Sequence, residues 1–426
     1  MLETIMLDRR ENKETGDVSL VGCAQDVAVV TAPAHPPPLA VDRARQAAQA
    51  YVALGVVGFA VASLGGSIVL AARDIHVDEA RLGWLASAFG IGLVAVGGVG
   101  TRLLRRGPQS TLRAGAVLLA VGAALVAVAP NVVTAVIGGL LAGLGAAGLV
   151  LVTPVLLAGP DATTRYSRGT AVSSTTGVLA PAALGAVDLT GVTGRTALLI
   201  LVVPLVLLAR SARPDRADGL VPAPLDDVRD ACPDRGGFER RWVAIVLAVA
   251  VEFCFVVWGV GRLRETGISA GAAAALASAF PIGLAVGRVA APGLIRRGWP
   301  PITVGALVTA VGTLMLVASD SATVATTALA VAGLGVASFY PVLLAGLMAL
   351  PDISPWRATS LATFASGTAI LTAPAVLGLL GQSHGLRASF LVTVPLLAAL
   401  VLVAGRTRER PILGRVVVGA DDRSRL

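Results

Sequence analysis

One carboxylic acid stands inside a long apolar run. Glu252 lies in Ala248–Gly259, AVAVEFCFVVWG. About ten residues into a helix that rises about 1.5 Å per residue, it sits near the middle of a bilayer. An acid at that depth costs on the order of 2.5–3.5 kcal/mol on insertion scales. It is retained where it faces a cavity or a partner. Such a carboxyl can carry a proton or hold a substrate group; the plainer reading is a protonated or paired structural acid. Arg288 is the nearest candidate partner. It precedes Arg296 by eight residues, which puts it about 12 Å from the basic loop. It is expected to snorkel toward the interface, at a depth that disfavours direct contact with Glu252.

Uncharged polar groups complete the candidate site. Ser63 and Ser67 are four apart on one helix face. Thr175 belongs to the band Ser173–Thr176, Phe339 and Tyr340 precede Pro341, and Thr363 and Ser366 share a face with Thr359. Each also reads as interhelix glue worth about 0.6 kcal/mol; Tyr340, a phenol beside a proline, is the strongest of them. Trp258, near a helix end, is expected in the interfacial belt. Asp188, Arg195 and Asp320 fall at helix ends and read as solvated, as does the loop of Asp74, His76, Asp78 and Glu79.

Several function classes lack their residues. The three cysteines, Cys23, Cys232 and Cys254, are far apart and show no metal spacing. No cofactor or metal site is expected. The only lysine is Lys13 and no Gly-x-x-x-x-Gly-Lys-Ser/Thr occurs, so the chain itself carries no ATP-driving loop. Three histidines and no membrane-embedded carboxylate pair leave no set for an enzyme.

These residues need a membrane scaffold. The 426 residues are 55% hydrophobic and 14% charged, against about 25% charged in a soluble domain, and mean hydropathy is +0.80. The net charge of +8 lies in short clusters between apolar runs, which suits orientation in a bilayer better than nucleic-acid binding.

The scaffold is written twice. Leu85–Leu93, LASAFGIGL, recurs as Leu276–Leu284, LASAFPIGL, with eight of nine residues matching at an offset of 191. Gly115-Ala116 recurs as Gly305-Ala306, Ala142–Gly145 as Ala332–Gly335, Pro154–Gly159 as Pro341–Gly346, and Ala180-Pro181 as Ala373-Pro374. The order is kept and both copies run the same way.

The sequence therefore predicts an all-α integral membrane protein with twelve transmembrane helices in two pseudo-symmetric six-helix bundles, a parallel repeat. The spans are expected near 49–71, 82–103, 111–129, 132–157, 168–189, 194–210, 242–262, 271–294, 302–318, 322–348, 357–380 and 386–405. Residues 1–45 read as a disordered cytoplasmic tail, 46–210 as the first bundle, 211–241 as a cytoplasmic linker, 242–405 as the second bundle and 406–426 as a second tail. Arg102, Arg105, Arg106, Arg113, Arg165, Arg168, Arg296 and Arg297 fall in or beside alternate loops. By the positive-inside rule these loops and both termini face the cytoplasm.

Twelve spans, two parallel repeats and a polar linker resemble the major facilitator superfamily over about residues 46–405. The loop after the second helix keeps Gly100, Arg105 and Gly107 of that family's signature, with Leu104 in the acid position. The second half repeats this with Ile295 before Arg296 and Gly298. In the fourth helix Gly143 and Gly145 fit, and Gly139 replaces the arginine that the family links to proton coupling. Gly177–Gly185 around Pro181 partly matches the fifth-helix antiporter signature; its likeness to the stretch around Pro374 favours a structural kink. The run from the tenth to the twelfth helix looks like the fucose-permease-like and drug-efflux-like branch. The acids of fucose-type symport are absent from the first and fourth helices.

The resemblance implies a secondary transporter in the cell membrane that works by alternating access, as a monomer, in contact with lipid, a small-molecule substrate and protons. A cavity with a single acid suits efflux of a cationic or amphipathic drug or metabolite. Uptake of a neutral solute such as a sugar is the alternative within transport, and a non-transporting receptor or scaffold the alternative outside it.

Overall fold

A computed structural model describes residues 40–158, 161–212, 235–350, 353 and 355–405. Helix α1 runs Ala40–Ala62 and continues, bent by 48° at Ser63, as Leu64–Asp74. Helix α2 spans Glu79–Arg105, α3 Pro108–Val128, α4 Val132–Leu156, α5 Ala162–Leu189 and α6 Gly194–Ser211. The second set begins with α7, Arg235–Arg264, followed by α8 Ala270–Arg296, α9 Pro301–Ala318 and α10 Ala322–Met348. The last stretch reverses at Gly385, φ 79°, dividing α11 (355–384) from α12 (386–405). Among the described residues ten helices, or eleven with the bent α1, are long and apolar enough to cross a membrane; the Gly385 reversal splits one into two and gives twelve spans in a multi-pass membrane protein.

Local sequence explains the ends. Pro108 and Pro301 open α3 and α9, where a missing N–H costs nothing. Asn131 caps α4 by accepting the Thr134 N–H at 3.0 Å. Gly107 (φ 114°) and Gly298 (φ 76°) turn the chain between α2 and α3 and between α8 and α9. In the first of these loops, Ser110 and Thr111 hydroxyls donate to the Gly107 carbonyl at 2.8 and 3.1 Å.

Several expected boundaries move. The first helix starts at Ala40, inside the stretch read as tail; residues 1–39 lie outside those described. Helices occupy both ends of the expected linker, through Ser211 and from Arg235, and residues 213–234 lie outside the description, as do 406–426. The sixth span opens as a 3₁₀ helix, Gly194–Leu201, before becoming α-helical.

The repeat packs as a repeat. Helices α2, α3 and α4 pack together, and α8, α9 and α10 do the same. Between the halves, α2 lies along α11 and α5 meets α8. Small residues make this approach feasible. A methyl at Gly90 or Gly97 would strike the backbone of Leu371 or Phe364 in α11, and Gly367 stands as close to α2. Two hydroxyls join the same helices: Ser360 donates to the Gly97 carbonyl at 2.7 Å and Ser87 to the Leu371 carbonyl at 3.1 Å.

At the end away from the Arg-rich loops, each half is tied by matched polar caps. Arg73 donates to both oxygens of Asp188, at 2.7 and 2.6 Å, and to Asp74 at 2.8 Å. Arg195 donates to the Ala129 carbonyl at 2.6 Å and stands 3.0 Å from Asp74. In the second half, Arg387 donates to Val317 and Asp320 at 2.5 Å each, Arg262 to the Ser319 carbonyl at 2.6 Å, and Glu265 accepts the Leu386 N–H at 3.0 Å. The expectation that Asp188, Arg195 and Asp320 are merely solvated is therefore corrected. Helix ends in these loops leave carbonyls open, and the arginines occupy them.

Candidate functional site

Between the halves lies a cavity of about 100 Å³. Helix α1 lines it with Gly58 and Ala62, and α5 with Ser173, Ser174 and Pro181. The second half contributes Glu252 and Phe255 from α7, Phe280 and Arg288 from α8 and Leu329 from α10. The wall is apolar apart from a few polar groups, so any charge in it is weakly screened.

Glu252 is half-buried in α7, twelve residues from Arg264, hence about 18 Å from that helix end. It has no hydrogen-bond partner among the described residues. Arg288 projects into the same cavity from α8. Its Nη1 donates to the Ser174 hydroxyl of α5 at 2.7 Å, across the two halves, while its Nε is buried with no partner. The two side chains are near enough for their charges to interact and form no ion pair within 4.0 Å. The snorkelling reading of Arg288 is thus corrected: the guanidinium turns inward to a hydroxyl. Glu252 is the one acid in the cavity lining, as expected, and Arg288 stands in that lining beside it.

Two phenols stand around the pair. Tyr340, half-buried in α10, reaches the Ser366 hydroxyl of α11. Tyr166, half-buried in α5, lies within electrostatic range of Arg288. Sequence reasoning passed over Tyr166, because the RYSRG stretch reads as loop; α5 begins at Ala162 and carries it as helix.

The other sequence candidates part company. Ser63 and Ser67 turn into the first bundle, beside Leu85, Phe89 and Gly139; Ser63 bonds the Ala60 carbonyl at 2.7 Å and Ser67 Oγ is buried without a partner. Thr175 is exposed and bonds its own helix at Ala171. Phe339 is buried against Gly305 of α9. Thr363 is buried and bonds the Thr359 carbonyl at 2.9 Å. None of these five lines the cavity; Pro181 does. Gly100 packs against Ser360 and Leu151. A side chain at Gly139 would meet the Leu85 carbonyl at 2.7 Å, so this packing has no room for an arginine there.

The far end of the cavity is sealed. A methyl at Gly65 in α1 would collide with the Val256 and Val257 carbonyls of α7, and one at Gly185 in α5 with Gly271 and Ala275 of α8. Trp258 is 2% exposed, donates to the Pro374 carbonyl at 2.7 Å and packs against Gly83 at the start of α2. It belongs to the seal rather than to an interfacial belt. Above it, Arg264 of α7 donates to Glu79 of α2 at 3.0 Å. Asp74 and Glu79, read as a solvated loop, are both ion-paired. At an offset of 191 Arg264 is the counterpart of Arg73. One copy binds within its own half and the other bridges the two.

The fold is the major facilitator fold. The chain is similar to a bacterial homolog of the human lysosomal transporter Spinster in an inward-facing, unoccupied conformation, with 14% identity, TM-score 0.68, and coverage of 87% of this chain and 98% of that one. It is similar to the xylose transporter XylE from E. coli in a partially occluded inward-open conformation, with 14% identity, TM-score 0.70, and coverage of 86% and 98%. The E. coli fucose:proton symporter FucP shares 18% identity at TM-score 0.53, with coverage of 84% and 98%. No protein-family model matches the chain, and no curated protein matches it.

Proposed function

We propose that this chain is a proton-coupled secondary transporter that carries a small organic molecule through the cavity between its halves. The observation that carries the reading is the pair Glu252 and Arg288: opposite charges at depth, in one cavity, without direct contact. Apolar architecture does not call for them. At an offset of 191 the first repeat has Val61 and Gly97 in these places, and the same fold is built there without either charge. A charge kept in a membrane interior at a cost of several kcal/mol is a functional feature by default.

The geometry supports a two-state cycle. Gly65, Gly185, Trp258 and the Glu79–Arg264 pair close one end in this conformation. Opening that end requires the halves to rock apart there. The two solved neighbours with higher TM-scores are an inward-facing and an inward-open transporter, which supports placing the Arg-rich end in the cytoplasm, as the positive-inside rule does. Glu252 takes a proton from the side to which the cavity opens, and Arg288 responds to its charge.

The test is transport by the purified full-length chain in liposomes. Candidate solutes of each charge class are offered with and without a proton gradient. The reading predicts accumulation driven by the gradient, with Glu252→Gln retaining exchange of solute across the membrane and losing gradient-driven accumulation. Accumulation by Glu252→Gln equal to the parent removes Glu252 from coupling. No solute-dependent flux in either protein favours a receptor or scaffold.

A further inference from the structure

We infer that the substrate carries an anionic group, a carboxylate or equivalent oxyanion on an apolar body, and that Arg288 receives it. This rests on the cavity being the transport site.

A guanidinium has five N–H donors in a fixed fork. Here one donates to the neutral Ser174 hydroxyl, and Nε is buried without an acceptor. A buried, unsatisfied donor on a charged group is costly, and an arriving oxyanion satisfies it bidentately. The groups that face Arg288 are Glu252 from α7, Tyr166 and Ser174 from α5, and beyond them Tyr340 from α10. None holds the guanidinium in an ion pair. The cavity thus presents a cation whose nearest acid is offset from it. Phe255, Phe280, Leu284 and Leu329 supply an apolar wall for the rest of the ligand.

Charge balance then fixes the coupling. With Glu252 ionised, the pair is neutral and the carboxylate competes with any anion for Arg288. With Glu252 protonated, the cavity is left with one positive charge, which an anionic substrate cancels. The loaded cavity holding both the proton and the anion is neutral overall. A neutral load is the one that crosses a low-dielectric interior at least cost. Anion and proton therefore travel in the same direction, and an inward proton gradient drives uptake. This departs from the efflux of a cation suggested by Glu252 alone.

The test uses the full-length protein in nanodiscs and four probes of matched size: benzoate, phenylphosphonate, benzamide and benzylamine. Binding is measured by calorimetry for the parent, Arg288→Gln and Arg288→Lys, with thermal melting to confirm that each variant folds. The expected result is binding of the two anions, weakened at least tenfold in Arg288→Gln and partly restored in Arg288→Lys. Anion binding is also expected to fall as pH rises, with one proton taken up per anion, and this pH dependence to disappear in Glu252→Gln. The inference is overturned if benzylamine or benzamide binds as well as benzoate, if no anion binds, or if Arg288→Gln leaves anion binding unchanged. Proton-driven transport of a neutral or cationic solute would overturn the anionic substrate while leaving the transporter reading intact. Anion binding without transport would do the reverse.

Discussion

Removing the Glu79–Arg264 pair should shift the protein toward the conformation open at its far end. The pair spans 3.0 Å between α2 and α7, one helix from each half, with Arg264 39% and Glu79 21% exposed. At that exposure most of the Coulomb energy is lost to solvent and to ordering two side chains, which leaves about 1 kcal/mol. A ligand-free two-state equilibrium moves about fivefold for that energy. Spin labels at Asp78 and Gln382, both exposed at the far end and on opposite halves, report the separation by pulsed electron spectroscopy. Glu79→Gln and Arg264→Gln should each raise the ratio of long to short distances about fivefold. The double variant should do no more than either, and the exchange Glu79→Arg with Arg264→Glu should return the ratio toward the parent. High salt should reproduce part of the effect in the parent and none of it in the variants. Singles that add in full, or labels that do not respond, would refute the latch.

Other substitutions test the packing around it. Gly65→Ala places a methyl against the Val256 and Val257 carbonyls and should disfavour the sealed state by about 1–3 kcal/mol, read by the same labels as a larger shift than the latch gives. Arg195→Ala should lower thermal stability by about 2 kcal/mol, since its side chain is 10% exposed and its loss leaves the Ala129 carbonyl without a donor while Asp74 keeps Arg73; Arg387→Ala, 42% exposed at the matching place in the second half, should cost under about 1 kcal/mol. His76 adopts φ 54° where the second repeat has Gly267 at φ 90°, so His76→Gly should raise the melting temperature by an amount equivalent to about 1 kcal/mol. Trp258→Phe removes the donor to Pro374 and should cost about 1 kcal/mol, with a shift of the spin labels toward the open state.

The fold was legible because membrane helices are specified by long apolar runs and the chain states its half twice. The repeat also set two charges apart from the architecture: Val61 and Gly97 mark where the fold needs no charge, and Glu252 and Arg288 depart from it. What the sequence hid is which way side chains turn. Arg288 has the depth of a snorkelling arginine, yet it turns inward to donate to Ser174 on α5. Ser63 and Ser67 share a helix face as expected, yet the bend at Ser63 and the packing of α1 aim them into the first bundle. Three of the far-end ion pairs join residues more than a hundred positions apart, Arg73 with Asp188, Arg195 with Asp74 and Glu79 with Arg264; no local pattern announces such partners. Tyr166 was hidden by a helix boundary six residues earlier than apolar content suggests.

The most direct test of the account is the proton content of the protein on binding. Purified protein in weakly buffered solution with a pH indicator is mixed with saturating substrate, parent beside Glu252→Gln. The account predicts a pH change of about one proton per bound substrate in the parent and none in the variant, which still binds. An equal change in both, or substrate binding by the parent with no change at any pH between about 5 and 9, would contradict Glu252 as the coupling group.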